Sequence, residues 1–329
     1  MNSKRRLLIS IVTYNSAHII EQCLTQLLRL DQMQDFLIEV VISDNASIDG
    51  TPRVVEEFLA RHSADWMQLA AGQSNLGWGA GNNRAIRAKS VEPDYVLLCN
   101  PDAWIDEVSL RALVGAIERY SPRGAIAVPY LETRGEIALA ANPEWTILRY
   151  ILWDYIGGKY PYKVFQRKYQ DRVGDFEVTS GYASGALALF SYPHLRDAGF
   201  FDERIFMYND DIDITRTILK QGGLLLGTRD AVAFHADGLG SRIGDEQPQG
   251  TTPTSLGRDS EFVFIEKWHG RSAARALAWY RWVVFYRVSN LLRRITGREP
   301  EDTAILRGSA ARYLRESSGR RNRRASSRR

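Results

Sequence analysis

Asn100-Pro101-Asp102 closes the apolar run Tyr95-Val96-Leu97-Leu98-Cys99. That run is rich in strand formers, and proline, which cannot donate to a ladder, ends it. A buried strand therefore delivers a carboxylate, Asp102, to its carboxyl end. Open α/β sheets hold their ligands at that edge, and a carboxylate there suits a hard divalent cation bridging to phosphate oxygens. Asn-Pro-Asp is also ordinary turn chemistry, so the reading depends on what accompanies it. Thr13-Tyr14, Asp44 with Asp49, and His235 each follow another apolar run, and Asp210-Asp211-Asp213 stands where a helix starts. Five such features on one edge of one sheet describe a site rather than five unrelated turns.

The elements that must position these residues follow from periodicity. Residues 7–12 form a continuous apolar run of strand length, followed by an amphipathic helix over 17–30 with Ser16 as its N-cap. A second strand covers 39–43; turn residues follow, and Thr51-Pro52 opens a helix to about 61. A third strand begins at Leu69-Ala70. Strands alternating with helices imply parallel pairing through right-handed crossovers. The next stretch, G-Q-S-N-L-G-W-G-A-G-N-N-R-A-I-R, has glycine at 72, 77, 79 and 81, leaving little side chain between the backbone and whatever docks there. A glycine-rich loop running into a helix, here expected over 82–89, is a general anion cradle, but the spacing fits neither the dinucleotide nor the P-loop fingerprint. Beyond the Asn-Pro-Asp strand the pattern predicts a helix over 108–120 and a strand over 125–128. Residues 130–176 read as irregular, aromatic and basic, an acceptor-side flap. A strand over 182–192, a helix through Lys220 stopped by Gly222-Gly223, and short strands over 224–227 and 231–234 complete the sheet.

With 329 residues, 44% of them hydrophobic and 25% charged, the chain suits a globular protein of one large α/β domain with an appendage, or of two small domains. Its net charge of +4 is concentrated at the end, where six arginines fall in the last ten residues. Cys23 and Cys99 have neither metal-ligand nor redox spacing and read as reduced core thiols of a cytosolic protein. The basic start precedes only about six apolar residues and no small-residue cleavage site, so it reads as the first core strand and not a leader. No segment reaches the roughly 18 apolar residues of a membrane span.

Residues 258–298 look helical, and 267–298 carry eight lysines or arginines and no acid, interleaved with tryptophan, tyrosine and phenylalanine. Arg281 and Arg287, six residues apart, are about 240° apart around a helix, so the cations do not share one face. Two readings stay open: peripheral membrane contact through snorkelling arginines and interfacial tryptophans, or a helix packed on the catalytic domain or in a dimer interface. The tail, 307–329, is expected to be disordered and able to touch anionic lipid or nucleic acid.

The set resembles glycosyltransferase family 2, of the GT-A fold, and within it the bacterial rhamnosyltransferase-like branch. The matching segments are I-S-I-V-T-Y-N, V-V-I-S-D-N-A-S-I-D-G-T, S-N-L-G-W-G-A-G-N-N-R-A-I, L-L-C-N-P-D-A-W, A-S-G-A-L-A-L-F, A-G-F-F-D-E-R-I-F-M-Y-N-D-D-I-D-I-T-R and F-H-A-D-G-L-G-S, in family order over residues 6 to 242. The resemblance implies a Rossmann-like, mostly parallel sheet flanked by helices over residues 1–257, with a basic aromatic helical extension over 258–306 and the tail beyond. It also implies that Thr13 and Tyr14 line the nucleobase, that Asp44 accepts from the base or ribose, and that Asn75 and Arg84 border the nucleotide. Asn100 occupies the first place of the D-x-D motif and Asp102 the last, metal-binding place. The asparagine removes a negative charge beside the diphosphate, so a metal would be held by fewer carboxylates. His235 matches a histidine that completes the metal shell in some relatives; a structural role is its alternative.

In the family's E-D-x-D element, Asp210 stands where glutamate is usual, Asn209 where an aromatic is usual, and Asp211 at the catalytic base, with Asp210 as a backup. The implied activity is inverting and metal-dependent, with Mg²⁺ or Mn²⁺ as cofactor. A sugar, best L-rhamnose from dTDP-rhamnose and next a UDP-sugar, moves to a hydroxyl of a lipid-linked or polysaccharide glycan. The implied location is cytoplasmic, at the inner face of the membrane, with a homo-oligomer left open. A sugar nucleotidyltransferase would need a basic glycine-rich loop where Thr13-Tyr14-Asn15 stands, a sugar-binding scaffold would not need Asp102, Asp211 and His235, and no specific nucleic-acid motif accompanies the basic tail.

Overall fold

The structure is a computed structural model that describes residues 4–144, 146–148, 150–151, 159–236, 253–288 and 303–326. Trp145, Trp153, Tyr155, the 237–242 end of the last matching segment and the 289–298 part of the basic stretch lie outside the described residues. Two compact units form: one from Met1–Glu144, Tyr160–Glu203 and Asp210–Glu246, the other from Trp145–Lys159, Arg204–Asn209 and Gln247–Arg329.

The first unit is built on β1 (Arg5–Thr13), β2 (Phe36–Asp44), β3 (Met67–Ala71) and β4 (Tyr95–Cys99), paired in parallel in the order β3-β2-β1-β4. Both faces of β1 are covered, which is why residues 7–13 are buried without alternation. Helices α1 (Ile20–Leu27), α2 (Thr51–His62) and α3 (Trp78–Ala88) make the crossovers. Beyond β4 the sheet continues through β11 (Leu187–Ser191), which is antiparallel to both β4 and β6 (Gly124–Thr133). Next comes β12 (Leu224–His235), parallel to β6. The edge is β5 (Ala103–Ile105), antiparallel to the end of β12. This is the mixed α/β, curled and mostly parallel GT-A sheet that the resemblance implies.

Several boundaries differ from the sequence expectations. Helix α1 begins at Ile20 with no side-chain cap; Ser16 instead lends its carbonyl to Ile19 and Ile20. Helix α3 starts at Trp78, four residues earlier than expected, so Gly79 and Gly81 lie inside it. A β-carbon on Gly81 would stand 2.7 Å from Val12 Cγ1, and one on Gly79 3.1 Å from Phe201 Cβ. Gly79 and Gly81 thus admit the protein's own neighbours. The predicted strands over 224–227 and 231–234 are one strand interrupted by a bulge, and 182–192 is two, β10 (Gly181–Ala183) and β11, separated at Ser184–Ala186. Residues 130–176 are more regular than their composition suggests. They hold the end of β6, its hairpin partner β7 (Glu136–Leu139), β8 (Ala141–Pro143) on β10, α5 (Lys159–Tyr169) and β9 (Asp175–Glu177). Helix α4 (Glu107–Arg119), capped by the Asp106 side chain, α6 (Tyr192–Asp197) and α7 (Asp210–Lys220) complete the unit.

The second unit is helical: α8 (Pro253–His269), α9 (Arg271–Trp279), a π-helical turn over Tyr280–Phe285 and α10 (Thr303–Ser326). Arg281 is fully buried and pairs at 2.5 Å with Glu261, which also receives Arg258. One arginine of the basic stretch is therefore internal. The tail expected to be disordered from 307 is helical to Ser326. Leu306 and Ala310 are buried, Tyr313 stacks on Phe262 at 4.8 Å, and Arg312 pairs with Asp259. Composition predicted disorder from the arginines; the apolar residues every fourth position supply the anchoring face.

Candidate active site

The end of β4 turns tightly, with the Ala103 amide donating to Asn100 O at 3.0 Å, and the chain leaves as β5. Because His235 pairs with Ala103 across the β5–β12 ladder, its ring is brought beside Asp102; Nε2 lies 3.3 Å from Asp102 Oδ1, and the Ala236 amide donates to Asp102 O. Asp102 is buried. Cys23 and Cys99, unrelated in sequence, both donate to Ala103 O beneath this turn as free, buried thiols.

The donor set can be tested for a metal. Two adjacent ligands on a cation with bonds near 2.1 Å are about 3 Å apart, close to the Asp102 to His235 separation. A hard oxygen with an imidazole suits Mn²⁺ or Mg²⁺. Among the described residues no group of three or more His, Cys, Asp or Glu converges, so the described residues supply an incomplete shell. Such a shell fits a cation shared with substrate phosphates and water, the usual arrangement for Mg²⁺.

Asp210 and Asp211 open α7. Asp210 is buried; its Oδ2 accepts from the Gly79 amide at 3.1 Å and its Oδ1 from the Asp211 amide, so it ties α7 to α3. Burial and the neighbouring Asp211 charge push its carboxyl well above the ordinary range. Asp211 is only half-buried, accepts from Gly185 N at 3.3 Å and Ile212 N at 2.8 Å, and is pushed up to about 7 by burial, against the pull of those amides. Gly185 also links the two carboxylate loops. Its amide holds Asp211, while the next residue, Ala186, accepts through its carbonyl from the Asn100 amide at 2.9 Å. Asn100, two residues before Asp102, and Asp211 are therefore tied to two consecutive residues of the segment between β10 and β11.

At the β1 and β2 ends the loops are stitched together. The Thr13 hydroxyl, fully buried, donates to Asp44 Oδ1 at 2.8 Å, and Ser47 donates to both oxygens of Asp44 through Oγ and N. Thr13 thus holds Asp44 in place, and both side chains are buried. Arg84 donates to Asp44 O at 2.7 Å and packs so closely under Gly72 that a β-carbon there would meet its guanidinium at 2.1 Å. Asn75 accepts from the Gly77 amide, whose φ of +89° only glycine adopts readily. Tyr14 is half-buried and its amide contacts Ser16 Oγ.

Sequence reasoning missed three contributors. Ser47, two residues before the noted Asp49, looked like loop filler. Trp78, read as part of a glycine-rich cradle, donates its indole N–H to Asn100 Oδ1 at 3.3 Å. Ser184 joins His235, Asn142 and the β6–β7 hairpin around a cavity of about 550 Å³. The hairpin's signal lay in Arg134-Gly135, both with positive φ.

Comparison with known proteins identifies the family. The profile of Glycosyl transferase family 2 matches residues 8–180. A relative named N-acetylglucosaminyl-diphospho-decaprenol L-rhamnosyltransferase, from Mycobacterium tuberculosis, is 27% identical over 234 residues, 68% of this chain and 74% of its own length. Poly(ribitol-phosphate) beta-N-acetylglucosaminyltransferase TarS of Staphylococcus aureus is 30% identical over 115 residues, 34% of this chain and 19% of its own. Among solved structures, mannosyltransferase PcManGT of Pyrobaculum calidifontis with GDP-Man and Mn²⁺ superposes with a TM-score of 0.51 at 17% identity, covering 95% of this chain and 88% of that one. S. aureus TarS 1-349 with UDP-GlcNAc gives 0.53 at 16%, covering 94% and 80%. The chain therefore belongs to glycosyl transferase family 2 and is a nucleotide-sugar-dependent glycosyltransferase of the rhamnosyltransferase-like branch.

Proposed function

We propose that this enzyme moves L-rhamnose from dTDP-rhamnose, with inversion, to a hydroxyl of a lipid-linked or polysaccharide glycan. The observation that carries the reading is the Gly185-Ala186 link, which sets a carboxylate poised as a base beside the loop that would hold the diphosphate. The name of the mycobacterial relative supports the sugar and a lipid-linked acceptor. Asp211, with its proton affinity raised to about 7, takes the proton of the acceptor hydroxyl. The hydroxyl oxygen bonds to the anomeric carbon as the bond to the diphosphate breaks on the opposite face, and the electron pair leaves with the nucleoside diphosphate. Asp210 holds α7 against α3 so that Asp211 keeps its place. Mg²⁺ or Mn²⁺ on Asp102 and His235 would stabilise the charge on the departing diphosphate as a Lewis acid. Asp44, with Thr13 and Ser47 behind it, anchors the base or ribose; Tyr14, Asn75 and Arg84 shape that end of the cleft.

A UDP-sugar is the second reading, favoured by the TarS match; a thymine methyl is worth only about 1 kcal/mol of burial. The helical unit adds a surface role. Trp279 and Trp282, three residues apart and 55% and 42% exposed, lie in a stretch of sequence that also carries Lys267, Arg271, Arg275 and Arg287. Exposed tryptophans with cations suit an anionic membrane surface, where a lipid-linked acceptor is found. No helix among the described residues is long and apolar enough to cross a membrane. Incubation with dTDP-, UDP- and GDP-sugars plus a lipid-linked glycan, with and without EDTA, tests the reading. Release of dTDP that EDTA abolishes is expected; release from UDP-sugars alone moves the donor to the second reading, and EDTA-resistant turnover removes the metal.

A further inference from the structure

We propose that Trp78 is a positioning residue that fixes the Asn100 amide, making Asn100 a hydrogen-bond donor to the ligand's phosphate or ribose oxygens and not a metal ligand. The proposal rests on the nucleotide-sugar reading of the same site and assigns one polar group within it.

An indole offers a proton and no lone pair. Trp78 Nε1 lies 3.3 Å from the Asn100 side chain, so the atom facing it must be the carbonyl oxygen Oδ1. With Oδ1 engaged, Nδ2 is turned away from the indole. Among the described residues Nδ2 makes no hydrogen bond, and Asn100 is half-buried at the end of β4, next to Asp102. Its two N–H donors are therefore left, among the described residues, for an incoming acceptor such as a phosphate oxygen. An amide nitrogen cannot ligate a cation, and the oxygen that could already accepts the indole proton on one of its two lone pairs.

Trp78 is itself held so that it cannot easily yield. Its ring meets Phe201 edge-on at 5.3 Å, and it lies so close to Gly185 that a β-carbon there would be 3.0 Å from Cη2. Gly185 carries Asp211 through its amide, so one indole touches both the diphosphate loop and the base loop. Phenylalanine or tyrosine at position 78 would fill similar space without an N–H at that point.

The test is a double-mutant cycle on binding of UDP and of dTDP by calorimetry, in EDTA and again in excess Mn²⁺, using Trp78→Phe, Asn100→Ala and both together. A hydrogen bond of ordinary strength that orients the donor corresponds to about a 3- to 10-fold effect. Trp78→Phe is expected to weaken nucleotide binding by that factor in EDTA, and to add nothing once Asn100 is alanine. Asn100→Asp, which replaces the donors with a charged acceptor, is expected to weaken binding at least tenfold in EDTA and to recover most of it with Mn²⁺. If Trp78→Phe costs the same in the Asn100→Ala background, Trp78 acts by packing alone and the proposal is overturned. Unchanged affinity in Trp78→Phe or Asn100→Ala overturns it as well. A wild-type protein that binds neither nucleotide, with or without Mn²⁺, overturns the functional reading and this inference with it; the other failures leave that reading standing.

Discussion

Replacing Asp211 by asparagine should remove activity and make the folded protein more stable, in a pH-dependent way that can be worked out beforehand. The carboxyl is held at about 7 against an ordinary value of 3.8, chiefly by burial. Between those values the folded state keeps a proton that the unfolded chain has released, so stability falls as pH rises from about 4 to about 7 and stays low above it. The displacement corresponds to about 4 kcal/mol, an upper limit because Asp210 shares the burden of two adjacent carboxylates. Asparagine ionises at no pH and keeps the side-chain shape. Urea unfolding of Asp211→Asn is therefore expected to match wild type below pH 4 and exceed it by about 2 to 4 kcal/mol at pH 8. Wild-type kcat/KM should rise about tenfold per pH unit below 7 and level off above, whereas the variant should lose about 10² to 10⁴ in turnover. A variant less stable than wild type at pH 8, or one retaining a tenth of its turnover, would refute the assignment of Asp211 as the base.

Three further outcomes follow from other contacts. Asp102→Asn and His235→Ala should each weaken Mn²⁺ binding by at least tenfold in titrations with dTDP present, since each removes one of the two protein ligands proposed above; unchanged affinity for both would place the cation elsewhere. Glu261→Gln should cost about 3 to 5 kcal/mol in chemical unfolding, because Arg281 is then a buried cation without its carboxylate; a loss under 1 kcal/mol would mean that water reaches Arg281. Trp279→Ser with Trp282→Ser should reduce co-sedimentation with phosphatidylglycerol vesicles several-fold while leaving turnover on a water-soluble acceptor unchanged, and undiminished sedimentation would remove the membrane surface.

The parallel half of the sheet was legible because parallel strands are covered on both faces, and continuous apolar runs such as residues 7–12 and 95–99 are the direct imprint of that burial. The C-terminal half was harder. The bulge in β12, the break between β10 and β11 at Ser184–Ala186, and the order of α8 to α10 depend on partners far away in the chain. Local propensity does not encode a strand interruption that exists to place Gly185 beside Asp211, or an arginine that is internal because Glu261 is.

Local pattern sufficed for the family-like order of motifs, the strand ends and the identities of the chemistry-bearing side chains, since hydrophobic periodicity and turn residues act over a few positions. Which of those side chains meet was settled by the folded chain alone. Folding put His235 on Asp102 through the pairing of β5 with β12, turned Thr13 inward onto Asp44, and gave the glycines of α3 to Val12 and Phe201. It also aimed the Trp78 indole at Asn100. A hydrogen bond or a 3 Å approach is decided by the packing of residues up to 133 positions apart, and no periodicity of two or 3.6 residues carries that distance.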